Sequence, residues 1–126
     1  MTLILDEQQK EEYISKIITN HYRLENALEY LFLQKFLSKT DGVLAYELQV
    51  VVLPEISFFS KIRILKKFAI LKKKLYNEID NLNNIRNKVA HDPQFYLSVP
   101  PLNEVLIRYE KVIANVNQIK IKYEND

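Results

Sequence analysis

The sequence predicts an all-α protein, a four- to five-helix up-and-down bundle, and three observations predict it. The 126 residues include 1 Gly and 4 Pro, whereas hairpin-rich sheets draw heavily on residues that tolerate positive φ. Apolar side chains recur at spacings of three, four and seven over several long stretches, the period of a helix buried on one side. Short breaks separate those stretches, so the helices pack most simply as neighbours in a bundle.

From Asp6 to about Ser38 no Gly or Pro intervenes, and Ile14, Ile17, Leu24, Leu28 and Leu31 form one stripe. His21 falls in the gap of that stripe, so it is expected to face the core or a partner. Lys39, Thr40, Asp41 and Gly42 read as a turn, with Gly42 free to take the positive φ that ends a helix. The run from Val43 to Leu53 is ambiguous: Val50, Val51 and Val52 are strand-like, but a lone strand cannot satisfy its backbone. A short buried helix ended by Pro54 is preferred.

Ser57 is placed to cap the next helix, on which Phe58, Phe59, Ile62, Leu65 and Phe68 repeat. Leu75, Ile79, Leu82, Ile85 (or Arg86) and Val89 predict a helix from about Lys73 to about Ala90. Pro93 disfavours helical geometry at Asp92 and ends it near His91. A loop from Asp92 to Pro101 follows. Leu102, Val105, Leu106, Tyr109, Val112, Ile113, Val116 and Ile119 then mark the last helix, started by Pro100 and Pro101.

The length fits one domain spanning residues 1–126, with no repeat or linker. Apolar residues are 48% and charged residues 27%, close to the globular average, which disfavours disorder and a membrane-spanning chain. With 18 basic and 16 acidic side chains the net charge is +2, so anion binding must be local. Zero Cys and 2 His leave little material for a metal centre, and no metal or cofactor is expected. The opening run Met1 to Glu7 has no basic segment and breaks at Asp6, predicting neither a signal peptide nor a membrane span. A cytoplasmic location is expected.

The segment Asn83-Asn84-Ile85-Arg86-Asn87-Lys88-Val89-Ala90-His91-Asp92-Pro93 holds the candidates for chemistry. Asn84, Asn87 and His91 share one helix face, whereas Arg86 lies about 140° from His91 on a straight helix. The two meet only if the helix end unwinds at His91 or two chains bring them together. Arginine clamps phosphate bidentately and histidine moves a proton near neutral pH. Cleavage of RNA by its own 2′-hydroxyl needs both functions and no metal. Asn87 is placed to hydrogen-bond His91 or the phosphate. The same string also reads as a stabilising helix end, with Arg86, Lys88 and His91 complementing the C-terminal dipole.

Arg86-Asn87-Lys88-Val89-Ala90-His91 resembles the R-x4-6-H motif of the HEPN superfamily, including the polar residue directly after the Arg. Leu24-Glu25-Asn26-Ala27-Leu28-Glu29 and Ser57-Phe58-Phe59-Ser60-Lys61-Ile62-Arg63-Ile64-Leu65 are similar to segments of HEPN-like proteins related to the mannitol operon repressor. The resemblance implies a HEPN-like bundle and a metal-independent endoribonuclease. It further implies a homodimer whose two motifs line one cleft. Arg86 would stabilise the scissile phosphate, His91 act as general acid or base, and Asn87 assist. Such proteins serve as toxins of toxin–antitoxin pairs or in phage defence, with a cognate antitoxin as partner. Others are silent and act as regulatory or protein-binding modules. The sequence departs from toxins silenced by nucleotide transfer onto a tyrosine two residues past the motif His, because Pro93 stands there.

Lys61, Arg63, Lys66, Lys67, Lys72, Lys73 and Lys74 concentrate positive charge that either tracks an RNA backbone or forms a solvated helix face. Phe95 and Tyr96 either stack on a base or plug the end of the bundle. The pairs Glu11-Glu12 and Glu25/Glu29 are expected on an exposed face. A third reading, a purely structural oligomerisation domain, treats the motif as a helix end.

Overall fold

The computed structural model describes residues 5–37 and 42–124. These residues form five α-helices and no strand, which makes the fold all-α. Helix α1 spans Glu7–Leu37. The Gln9 backbone N–H donates to Asp6 Oδ1 at 2.8 Å, while the Asp6 N–H donates to Gln9 Oε1 at 3.0 Å. This reciprocal arrangement satisfies two donors that the first helical turn leaves open. Ile17, Leu24, Leu28 and Leu31 are buried and Ile14 half-buried, as the stripe predicts.

Helix α2 spans Gly42–Glu47 and continues through a π-helical turn, Leu48–Val52, and a 3-10 turn, Leu53–Glu55. The segment is helical as preferred, but it is not buried. Val43 is 77% exposed and Val51 55% exposed, while Leu53 is 2% exposed. Among its described side chains Leu53, at its end, is the buried one that meets the core. Helical geometry also runs past Pro54 to Glu55, because proline's missing N–H costs nothing in the first turn of the 3-10 stretch. Gly42 opens α2 without a positive φ, against the helix-ending role expected of it. The remainder of the predicted turn, Lys39 to Asp41, and the expected end of α1 at Ser38 lie outside the described residues.

Helix α3, Phe58–Lys67, starts where Ser57 Oγ accepts the Ser60 N–H at 3.1 Å. Ile62 and Leu65 are buried and Phe58 is half-buried. Phe59 and Phe68 depart from the predicted stripe and are exposed. Phe59 sits about 60° around the helix from Ile62, and Phe68 has passed the last helical turn as its cap. The helix ends with Ala69 at φ 60°. The Ile70 N–H donates to Leu65 O and the Ala69 N–H to Lys66 O, both at 2.9 Å. That pattern is a Schellman closure, sealed by contact between apolar flanking residues; here Ile70 and Leu65 are both buried.

Helix α4, Lys73–His91, buries Ile79, Leu82, Ile85 and Val89. Its last residue matches the expectation, and Asp92 is extended at φ −106°, ψ 114°, the geometry that a following proline imposes. A 3-10 turn, Phe95–Leu97, crosses the next loop and leads to α5, Leu102–Glu124. Val105, Tyr109, Val112, Ile113 and Val116 of α5 are buried.

Three contacts fix the relation of α1 to α5 and to the residues that lead into it. The Tyr13 hydroxyl donates to Pro100 O at 2.5 Å, His21 meets Tyr109, and Arg23 pairs with Glu110 at 2.7 Å. Residue numbers rise together along both helices, so α1 and α5 run parallel. Helix α4 runs antiparallel to α5: Arg108 donates to Asn81, while Leu75 and Glu78 lie beside Asn115, Gln118 and Ile119. Among the described residues no single helix is long and apolar enough to cross a membrane. Only a pair bent by 118°, Gly42–Glu55 with Phe58–Lys67, reaches that length and composition when joined.

Candidate functional site

The predicted motif lies on the last turns of α4. That helix does not unwind at His91: the Asp92 N–H still donates to Lys88 O at 2.8 Å. The unwinding that would bring Arg86 to His91 within one chain is therefore absent. Five residues of regular helix hold them about 140° apart in direction and about 7.5 Å apart along the axis. His91 is exposed, as are Asn84 and Asn87 on the predicted shared face. Asn87 occupies the arc between the two, about 100° from Arg86 and about 40° from His91. Its Oδ1 accepts from Arg86 Nη1 at 3.2 Å.

Arg86 is half-buried and lines a groove of about 450 Å³ between α1, α3 and α4. Asn83 and Asn87 line it from α4, Glu25 and Glu29 from α1, and Phe58 and Lys61 from α3. Lys61 Nζ lies 3.9 Å from Glu29 Oε1, a loose ion pair along the groove.

Next to the groove the polar residues continue into the core. His21 is 2% exposed. Its Nδ1 is 2.9 Å from the Tyr109 hydroxyl, and its ring centroid is 4.9 Å from that of Phe58. On the other side Nε2 lies 3.4 Å from Glu25 Oε1, close enough for attraction but without hydrogen-bond alignment. A carboxylate beside Nε2 favours the tautomer protonated there, which leaves Nδ1 to accept the Tyr109 O–H. Burial, reinforced by Arg86, holds the imidazole down at about 4, against an opposing contribution from Asn83. His21 is accordingly neutral near pH 7. Burial also pushes the Glu25 carboxyl above the usual range, although Arg86 and Lys61 pull it back. The Tyr109 hydroxyl is raised, again chiefly by burial.

Arg86 thus acts electrostatically on His21, Glu25 and Tyr109 together. The expectation of an exposed Glu25/Glu29 face is corrected: both are half-buried, while Glu11 and Glu12 are exposed. The reason is that α3 and α4 pack beside this turn of α1. The signal available in the sequence was the four-residue spacing of His21 and Glu25, which stacks them on one helix face next to the apolar stripe.

The predicted RNA-binding residues are dispersed. Arg63 is exposed and lines a separate groove with Ser60, Lys66, Lys67 and Tyr76. Lys72 and Lys74 border another beside Glu78 and Lys122, and Lys73 is exposed. Tyr96 is half-buried, with Lys10 Nζ 4.4 Å from its ring centroid. Phe95 is 2% exposed and packs 5.3 Å from Tyr13. It plugs the bundle end and is not a base-stacking surface, because apolar area at the loop is sequestered by α1. Among the described residues, no group of three or more His, Asp or Glu is arranged to hold a metal ion.

The fold and groove define a helical protein with a half-buried arginine set among carboxylate, amide and imidazole groups. Comparison with protein-family models, with curated proteins and with solved structures gave no match.

Proposed function

We propose that the protein is a HEPN-like, metal-independent endoribonuclease that acts as a cytoplasmic homodimer and cleaves RNA through attack of the 2′-hydroxyl. One observation carries the reading: Arg86 lines the groove between α1, α3 and α4 while His91 of the same motif stands exposed at the end of α4. The groove supplies a guanidinium to hold the phosphate and to offset charge developing on its oxygens. His91 supplies a group able to exchange a proton near neutral pH. Asn87, bonded to Arg86 and placed toward the His91 side, fixes the guanidinium. A second copy brings its own His91 to the groove, since the helix separates the two within one chain. A role in a toxin–antitoxin pair or in phage defence, with an antitoxin covering the groove, follows from the same reading.

The second reading is a silent regulatory or protein-binding module of the mannitol operon repressor type. The unbroken α4 favours it, because a helix that keeps Arg86 and His91 on different sides has no active pair unless a partner supplies one.

The experiment is incubation of the purified protein with RNA in the presence of a chelator, beside His91→Ala and Arg86→Ala. Cleavage by the wild type, lost by about 100-fold or more in both variants, is expected. Equal cleavage by all three removes the motif from the mechanism. Absence of cleavage by the wild type, with RNA or protein binding retained, selects the silent module.

A further inference from the structure

Helix α2 and the turns that continue it present apolar side chains to solvent: Val43, Tyr46, Val50, Val51 and Val52 are exposed by between 41% and 77%. Single exposed apolar groups are ordinary on a protein surface, but five on one short segment mark a surface that something covers. The chain then enters a stretch of opposite character. From Ile56 to Asn77 it carries seven Lys and Arg and no Asp or Glu, although its overall net charge is only +2. That stretch comprises α3, the turn that closes it and the start of α4. We infer that the exposed apolar segment and the acid-free stretch together form a docking surface for an anionic lipid bilayer, on which the protein lies without crossing it. The inference concerns binding alone and is independent of the ribonuclease reading.

The cations of α3 are free to meet such a surface. Among the described residues Arg63, Lys66 and Lys67 have no carboxylate partner, whereas Lys10, Arg23 and Lys61 each lie beside one. Aromatic rings position two of the three. Arg63 Cζ is 5.5 Å from the Phe59 ring centroid, and Lys66 Nζ is 4.3 Å from that of Tyr76. A cation–π contact orients the charged group without neutralising it. Arg63, Lys66 and Lys67 line one groove with Ser60 and Tyr76, and among the described residues no acidic side chain lines it. Phe59 is itself exposed and follows Val52 by seven residues. Even fully extended, that length of chain reaches at most about 25 Å, so the backbone keeps the apolar segment near the cations.

The two halves of this surface select its occupant. RNA would neutralise the cations, but its bases stack on planar groups, and Val43, Val50, Val51 and Val52 offer none. A second copy docked about a twofold axis would cover the valines, but it would set two acid-free stretches against each other, an unfavourable meeting of like charges. An anionic bilayer satisfies both halves: its acyl boundary takes the apolar side chains and its headgroups take the cations. Glu47 and Gln49, both exposed within the apolar segment, hold it at headgroup depth, because a carboxylate is costly in hydrocarbon. The bend of 118° between Gly42–Glu55 and Phe58–Lys67 likewise suits two segments lying at the interface.

The test is flotation of the full chain, in chelator and at several salt concentrations, with vesicles of phosphatidylcholine alone or containing about 30% phosphatidylserine. Association with the anionic vesicles is expected, weakening as salt rises, with little on the neutral ones. Arg63→Gln, Lys66→Gln and Lys67→Gln combined are expected to lower partition onto anionic vesicles about 100-fold. Val43→Asp with Val51→Asp is expected to lower it about 10-fold or more. All five side chains are exposed, and circular dichroism checks that helix content is kept. The chain has no Trp, so Val51→Trp supplies a single reporter whose emission shifts to shorter wavelength on anionic vesicles. A wild type that stays in the buffer at low salt overturns the inference, as does flotation that either set of substitutions leaves unchanged. So does a dimer that Val43→Asp and Val51→Asp dissociate in a chain that does not float, which gives the segment to a second copy. RNA binding lost with the three cations in a chain that does not float gives them to RNA and overturns it equally.

Discussion

The His21 imidazole and the Tyr109 hydroxyl meet at 2.9 Å inside the bundle, joining α1 to α5 through a polar contact where apolar packing would otherwise be expected. Both residues are almost wholly removed from solvent, so each depends on the other for a hydrogen-bond partner.

Stability is expected to fall as the solution is acidified below about pH 6.5. The His21 pKa is lowered from 6.5 to about 4 in the folded protein, so between these values the unfolded chain binds more protons. The full contribution is present above pH 6.5 and is lost as the pH falls through 4, amounting to about 3 kcal/mol at most. Glu25, with its raised carboxyl, acts in the opposite sense. Urea melts from pH 4 to pH 8, comparing wild type with His21→Gln, isolate the imidazole. A difference between the two that stays constant with pH would refute the linkage.

Tyr109→Phe keeps the ring but strands a buried imidazole nitrogen. A loss of about 1–3 kcal/mol is expected, read as a lower midpoint in urea at unchanged slope. A variant as stable as the wild type would mean that another group satisfies Nδ1.

Ala69 adopts φ 60° at the Schellman closure of α3. An L-residue there costs about 1–2 kcal/mol, and glycine relieves it while adding unfolded-state entropy of about 0.4–1 kcal/mol. Ala69→Gly is expected to raise stability by up to about 1 kcal/mol, visible as a higher melting temperature. A lower one would mean that the methyl group contributes more than the strain.

Lys72→Gln, Lys73→Gln and Lys74→Gln combined are expected to weaken RNA binding and to reduce the slope of log K against log salt by about 2. Titrations at several salt concentrations measure this. An unchanged slope returns the three lysines to a solvated helix face.

Much of the fold was legible in residue spacing. The stripes of α1, α4 and α5 emerge with their buried members as predicted, because a long one-sided helix can hide its apolar face in only one way. Pro93 placed the end of α4 to within a residue through its steric effect on Asp92. The segment from Val43 to Leu53 was read correctly as helical and incorrectly as buried. Apart from Glu47 and Gln49 its side chains are apolar, too evenly spread to point one way, and exposure depended on which neighbours reached it.

What the sequence determined was local: helical periods, caps and the chemical identity of Arg86, Asn87 and His91. What the tertiary structure decided was company. It set Arg86 beside Glu25 and near His21 and Tyr109, residues 61, 65 and 23 positions away in the chain, while leaving His91 five residues along the same helix on another side. Spacing along one helix fixes angles within that helix, and packing between helices fixes which distant side chains share a groove.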